Sequence, residues 1–364
     1  MASLTRRTEV WRHLSDRLSR QSDDALTAWR DAVSGSDGWG SHRVLLLDGV
    51  EVFTKSLLVT DRELADPGGT HNIHGLPSFY SYGLGSAGFR AGRELALHEK
   101  TTRWVLEGAC THFPLTYHHR LLPAGRSTPK VAPEALDAYV ASWNGDASIR
   151  ALLKARNAAT HELFMVMEFV PHVVRDWFSD HPDAAPRFVE QMLPTGRFLA
   201  EQGVVHFDAH GGNILTDGGD FFLTDFGLGM DRAFDLSPAE QAFLARHRHY
   251  DRGMLACGLL IPLAGAIRAL SADARRAIEA RHGNTRTTTL APLTRQLMEK
   301  GLLQVPLELV DSLEPYLDVI PHLVGFFDAL QSPSKAVRFP DEAVAAALPA
   351  ALVGSTRTPA KSSG

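Results

Sequence analysis

The segment Gly203–Leu215, GVVHFDAHGGNIL, constrains this chain more than any other. It sets His206, Asp208, His210 and Asn213 within eight positions, and Asp225-Phe226-Gly227 follows twelve residues after Asn213. Two chemistries compete for such residues. A zinc site needs three or four converging nitrogen, sulfur or oxygen ligands. His206, Asp208 and His210 alternate, so a strand would align them on one face. Gly211 and Gly212 suit a loop instead, and no second His/Asp cluster follows at usable spacing. The alternative is phosphate transfer with magnesium. FFLTDFGLG reads as an apolar strand running into an acidic residue and then glycine, so Asp225 is placed to hold Mg²⁺, with Asn213 as a second oxygen ligand. Mg²⁺ takes hard oxygens and draws only one or two from protein, the rest coming from phosphates and water. Asp208 then orients an acceptor hydroxyl and takes its proton.

Residues far from this segment fit the second chemistry. Lys55 lies in the apolar run VEVFTKS, where a lone ammonium needs a partner, and nucleotide phosphates with a helix carboxylate would provide one. The bland alternative is a lysine at a strand edge with its amine in water. Gly35, Gly38 and Gly40 precede an Asp48-Gly49 hairpin signal, and their backbone N–H groups can approach phosphates closely, unless GSDGWG is a plain turn. Trp39 between them is either a packing residue or a cover over a nucleotide.

The ordered set GSDGWG, VFTK, FMVMEFV, HFDAHGGN and DFG, spanning about residues 35–265, resembles the protein-kinase-like superfamily. The resemblance implies a bilobal α+β fold, with a small β-rich lobe and a large helical lobe around a cleft for Mg-ATP. Lys55 resembles the strand lysine that holds the α- and β-phosphates. Its carboxylate partner falls on the helix in GRELALHEKTTRW, with Glu94 preferred and Glu99 the rival; a solvated helix charge is the plain reading of either. Met167 resembles the gatekeeper, and Glu168 to Val170 the hinge whose backbone reads adenine. Asp208 resembles the catalytic base, and Asn213 and Asp225 the Mg²⁺ ligands. Asp251 is expected to tie the run after HYDRG to the backbone around His206, and His206 to brace the loop.

Three departures separate the chain from protein kinases. His210 stands two residues after Asp208, where Ser/Thr protein kinases carry lysine; histidine there is similar to aminoglycoside and choline phosphotransferases. His210 therefore either faces substrate and phosphate or makes a loop hydrogen bond. The glycine loop lacks full G-x-G-x-x-G spacing. No Ala-Pro-Glu follows Asp-Phe-Gly; DLSPAEQAFL reads instead as a capped helix, with Ser237 at the cap, Pro238 at N1 and Glu240 closing the box. The expected activity is transfer of the γ-phosphate of ATP to a hydroxyl acceptor. That acceptor is a protein Ser/Thr or a small molecule, and a nucleotide-binding pseudokinase scaffold is a further alternative.

At 364 residues the chain exceeds what one core usually fills. The pattern divides into a helical extension (1–33), a strand-rich part (34–170) with insertions at about 62–88 and 124–160, a helical part (171–352) and a polar tail (353–364). A formal charge of −5 gives no electrostatic reason for a nucleic-acid or anionic-membrane partner. Cys110 and Cys257 are far apart and read as reduced thiols. MASLTRRTEVWRHLS has no apolar run of a signal peptide, and Met254–Ile267 is shorter than the roughly 20 apolar residues of a membrane span, so a cytoplasmic location and a buried core helix are expected. HRHYDR, His247 to Arg252, reads as a solvated helix end.

Overall fold

Short apolar runs on either side of Asp48-Gly49 fold residues 40–59 into a hairpin of strands β2 (Gly40–Leu47) and β3 (Val50–Val59). Asp48 and Gly49 have φ of 48° and 80°, the two positive values that a tight two-residue turn of this hand requires. The computed structural model describes residues 3–32, 36–38, 40–125, 131–332 and 334–350. Gly35, Trp39 and the polar tail, on which expectations fall, lie outside the described residues.

The hairpin extends into a five-stranded antiparallel sheet. Strand β1 (Ser36–Gly38) pairs with β2, Gly38 opposite Gly40, while β4 (Thr116–Pro123) and β5 (His161–Glu168) complete the order β1-β2-β3-β5-β4. Two leading helices, α1 (Leu4–Ser19) and α2 (Asp23–Asp31), pack on β4 and bury Leu14, Leu18 and Leu26. Both are capped by serines, Ser3 and Ser22, whose hydroxyls accept N–H groups of the first turn. Trp11 and Ser15 of α1 donate to the carbonyls of Thr116 and Tyr117, so polar bonds fix the helix on its strand.

The two insertions pack on each other. The first begins with a short helix, α3 (Asp61–Leu64); the second holds α5 (Leu136–Ser142) and α6 (Ala147–Asn157). Tyr80 meets Trp143 edge-on at 4.7 Å, and Leu76, Phe89, Ile149 and Leu152 close a small core of their own. Between the insertions runs α4 (Ala91–Leu106), which packs on β3 and β4.

The remainder is helical, apart from short strands that carry the loops of interest. These are β6 (His172–Val173), β7 (Val204–Val205), β8 (Ile214–Thr216), β9 (Phe221–Leu223) and β10 (Met230–Asp231). Helices α7 (Val174–Trp177), α8 (Ala185–Glu201), α9 (Pro238–Ala245), α10 (Tyr250–Cys257) and α11 (Leu260–Arg268) precede further helices that end at Asp341–Ala347. Ser237, Pro238 and Glu240 form the expected capping box at the start of α9. The whole is a mixed α+β architecture, a small antiparallel sheet with many helices.

Two expectations need correction. The helix extends past the apolar run Met254–Ile267: α10 and α11 make a nearly continuous helical stretch, Tyr250–Arg268, of 19 residues, which takes in the charged flanks Asp251, Arg252 and Arg268. By length and composition that stretch could cross a membrane, but 61% of it is buried inside the protein. Nor is His247–Arg252 a solvated helix end; His247, His249, Tyr250, Asp251 and Arg252 are all buried. Charge-rich sequence misleads here because the partners are remote. His249 meets Asp341 at 2.8 Å, and His247 is enclosed by Tyr82, Phe243 and Phe339.

His247 donates from Nδ1 to the Phe243 carbonyl (2.6 Å) and accepts at Nε2 from the Tyr82 hydroxyl (2.9 Å). Burial, first of all, lowers its pKa to about 4, against 6.5 for an exposed ring. The unfolded chain therefore takes up a proton below pH 6.5 that the folded ring refuses until about pH 4, and stability falls as pH falls across that window. Urea unfolding at pH 7 and pH 5 should show wild type losing about 2 kcal/mol more than His247→Gln over the interval.

Candidate functional site

Lys55 lies in the middle of β3, opposite Met165 of β5, and is buried. Its Nζ stands 2.6 Å from Glu94 Oε1 on α4 and donates to Asp225 Oδ1 at 2.8 Å. Burial works against the ammonium, but the carboxylates of Asp225 and Glu94 more than offset it and hold the Lys55 pKa well above the ordinary value. For Asp225, burial raises and Lys55 lowers, and the net position is well below the usual carboxylate range. Glu94 is shifted the same way for the same reasons. The three groups are thus charged together. Gly227 permits the approach, since a Cβ there would sit 3.0 Å from Glu94 Oε2 and 3.3 Å from Asp225 Oδ1. Glu99, the rival partner, instead faces His119 at 3.5 Å.

The placement of Glu94 depends on how α4 is held. Arg90 precedes the helix and offers no side-chain cap. Glu63 of α3 supplies one from a distance: Oε1 accepts the Ala91 N–H (3.1 Å), while Oε2 accepts the Thr60 N–H (2.8 Å). A carboxylate at a helix N-terminus also matches the helix dipole. Next to Glu94, Arg93 reaches the opposite way to Glu240 of α9 at 2.8 Å, in an ion pair with both side chains 2% exposed. One turn further, the His98 ring meets Phe226 edge-on at 5.2 Å.

The loop after β7 is built on Asp251 of α10, whose two carboxylate oxygens accept the N–H groups of His206 (2.7 Å) and Phe207 (3.1 Å). Burial raises this carboxyl to about 7 despite those donors. His206 donates from Nε2 to the Thr224 carbonyl (2.8 Å) and accepts at Nδ1 from the Asp208 N–H (3.2 Å). Its ring is fully used and, chiefly through burial, lowered to about 4, so it braces the loop as a neutral group. Phe207 and Asp225 both have φ of 63°, a left-handed conformation that is strained for such residues and aims their neighbours and carboxylate.

Asp208 Oδ2 accepts from Asn213 Nδ2 at 2.8 Å, and the same amide donates to the Asp208 carbonyl at 3.0 Å. Burial raises Asp208 to about 6, with His210 opposing and Asp225 adding to the shift. His210 accepts the Gly212 N–H at Nδ1 (2.9 Å), so its Nε2 bears the proton 3.4 Å from Asp208 Oδ1. The loop hydrogen bond thus exists, and the other end of the ring turns to the carboxylate.

Beside Lys55, Asn213 and Asp225 lies a cavity of about 400 Å³. Its walls are largely apolar, formed by Val44, Phe53, Met167, Val170 and Leu215. Asp208, Glu94 and His210 are not among its lining residues. Glu168 lines it too, but its side chain turns to α1: Arg7 donates to Oε1 (2.9 Å) and Oε2 (2.7 Å), and also to the carbonyls of Thr111 and Phe113.

Of the residues singled out in sequence, the structure brings Lys55, Glu94, Asn213, Asp225, Met167, Glu168 and Val170 to this cavity or its edge, with Asp208 and His210 adjoining. Gly38 and Gly40 face each other in the β1–β2 hairpin. Glu63, Arg93, Gly83 and Arg7 were missed. The capping box around Ser237 pointed to Glu240 as a cap but not to its buried partner. Among the described residues, no group of three or more His, Cys, Asp or Glu gathers as a metal set. No family model matches this chain, and no curated protein matches it.

The Arg93–Glu240 pair gives a direct check on how α4 is held. Arg93→Met or Glu240→Gln alone strands a buried charge or its hydrogen-bonding partner, and Arg93→Met should cost about 3–5 kcal/mol by denaturant unfolding. The double variant should lose less than the sum of the singles by at least about 1 kcal/mol.

Proposed function

We propose that this chain is an ATP-dependent phosphotransferase of the protein-kinase-like kind, moving the γ-phosphoryl group of Mg-ATP to a hydroxyl. In this reading the five-stranded sheet with α4 is the small lobe, and the helical remainder is the large one. The observation that carries it is the buried Lys55, held at 2.6 Å and 2.8 Å between Glu94 and Asp225 at the edge of a cavity of about 400 Å³. That volume falls within the range of small-ligand sites, and apolar walls with a few polar groups at one end suit a flat base and a charged tail.

The donor set fits magnesium. Asn213 spends its amide nitrogen on Asp208, which turns its carbonyl oxygen away from that contact. Asp225, enclosed on most sides, keeps 42% of its side chain open, beside the cavity that both residues line. When bound, Mg²⁺ supplies neutralisation of phosphate charge, and two protein oxygens are the number it commonly takes. Lys55 presents its ammonium to phosphate oxygens, and Glu94 keeps that ammonium in place. The backbone of Glu168 to Val170 borders the apolar walls, where a purine edge would meet it. Asp208 receives the proton of the acceptor hydroxyl as that oxygen bonds to phosphorus. The bond to the β,γ-bridging oxygen breaks, and its electron pair leaves with ADP. A carboxyl raised to about 6 is a better proton acceptor than an ordinary aspartate while still largely ionised at neutral pH.

Turnover of ATP by the purified chain, with magnesium and with excess EDTA, tests this. Asp208→Ala should lower turnover by about 10²–10⁴ with Mg-ATP still raising the melting temperature. Asp225→Ala should abolish both turnover and magnesium dependence. Equal turnover in wild type and both variants, or no thermal shift with nucleotide, would sink the reading.

A further inference from the structure

The first insertion closes over the loop that carries Asp208. Tyr82 is buried, packs edge-on to Phe326 at 5.2 Å and tilted to Phe243 at 5.5 Å, and gives its hydroxyl to His247. The next residue, Gly83, lies directly on the carboxylate: a Cβ there would come within 1.9 Å of Asp208 Oδ1 and 3.5 Å of the Phe207 carbonyl oxygen. Five residues on, Gly88 (φ 75°) lies as closely on the other motif, where a Cβ would be 2.7 Å from the Gly227 carbonyl oxygen.

The segment between them is tied down. Ser86 Oγ accepts the Gly88 N–H, the Tyr80 hydroxyl accepts the Ala87 N–H, and Arg156 of α6 donates to the carbonyls of Ala87 and Phe89. Ser86, Ala87, Gly88 and Phe89 are all buried. Both ends are therefore fixed, one in the aromatic cluster around His247 and the other in the core the insertions share. Asp208 keeps only 19% of its side chain exposed, with Oδ2 on Asn213 and Oδ1 between Gly83 and His210.

We propose, resting on the phosphotransferase reading, that residues 82–88 form a fixed roof over Asp208 that makes the acceptor a small hydroxylated molecule and excludes an extended polypeptide. A seryl or threonyl oxygen is separated from its main chain by a single carbon. To bring that oxygen to hydrogen-bonding distance of Asp208, a peptide must lay backbone and flanking residues across the carboxylate, where the chain's own backbone already lies. A compact molecule with a projecting hydroxyl needs only the opening that remains. Once there, its proton passes to Asp208, its oxygen bonds to the γ-phosphorus, and ADP departs with the electron pair of the broken bond. Gly83 is the specificity-determining position, because a side chain there would push the Asp208 carboxylate from its place under the roof.

The test uses the full chain with labelled Mg-ATP and two acceptor sets, a degenerate Ser/Thr/Tyr peptide library and a panel of aldoses, amino sugars, polyols, nucleosides and amino alcohols. The expected result is label on at least one small compound, and none on peptides above the Asp208→Ala background. Gly83→Ala should cut that transfer by about a hundredfold, the cost of displacing a reacting group by about 1 Å, with the thermal shift by Mg-ATP unchanged. Labelled peptides with wild type would overturn the proposal whether or not the variant folds, and so would an undiminished rate in Gly83→Ala. Asp225-dependent ATP hydrolysis with neither set labelled would also overturn it, while leaving the phosphotransferase reading in place. Absence of any nucleotide thermal shift would instead strike that underlying reading, and this proposal with it.

Discussion

An ammonium group out of water is tolerable only beside opposite charge, and Lys55 obtains two carboxylates from two separate parts of the chain. Glu94 comes from α4 and Asp225 from the loop after β9, so three elements must arrive in register for all three charges to be satisfied together. Much of the surrounding architecture reads as means to that end. Glu63 caps α4 from the strand-end side, Arg93 anchors it toward α9, and Gly227 leaves room for the carboxylates to converge. The site is consequently held from the outside, by residues that never face the cavity.

Local features of this arrangement were legible in the sequence. The Asp48-Gly49 turn, the Ser237 box and the buried strand of Leu163 to Val170 depend on neighbours a few positions away, and each forms close to where its pattern lies. Lys55 could be singled out because an isolated charge in an apolar strand is itself a local contradiction. The choice between Glu94 and Glu99 could not be made that way. Five positions apart, they point about 140° apart on a helix, and the phase of α4 is set by its start, where Gly92 lies against the carbonyls of Pro67 and Gly69. That contact belongs to a loop with no periodicity of its own.

The remaining misreadings share one cause. His247 to Arg252 looked solvated because five of its six residues are polar or charged, yet their partners are Tyr82, Asp341 and the backbone at His206, all distant in sequence. Gly83 looked like one glycine among many in a loose insertion. Its significance lies in a carboxylate more than a hundred positions away, and no property of the neighbouring residues announces that. Buried polar groups with long-range partners are the class of residue that pattern reading assigns to the surface.

The bond between Arg7 and Glu168 has a bearing on how the chain comes to fold. The two residues are 161 positions apart, and Trp11 and Ser15 likewise wait for carbonyls more than a hundred positions further on. During synthesis α1 therefore emerges long before the strands it covers exist. Its apolar stripe, Leu14 and Leu18, has no surface to bury against until β4 and β5 are made and the sheet has closed. Contacts of such long range make assembly slow. The helix thus waits undocked until β5, which ends at Glu168, has been made, and the nascent chain carries an exposed hydrophobic face until then.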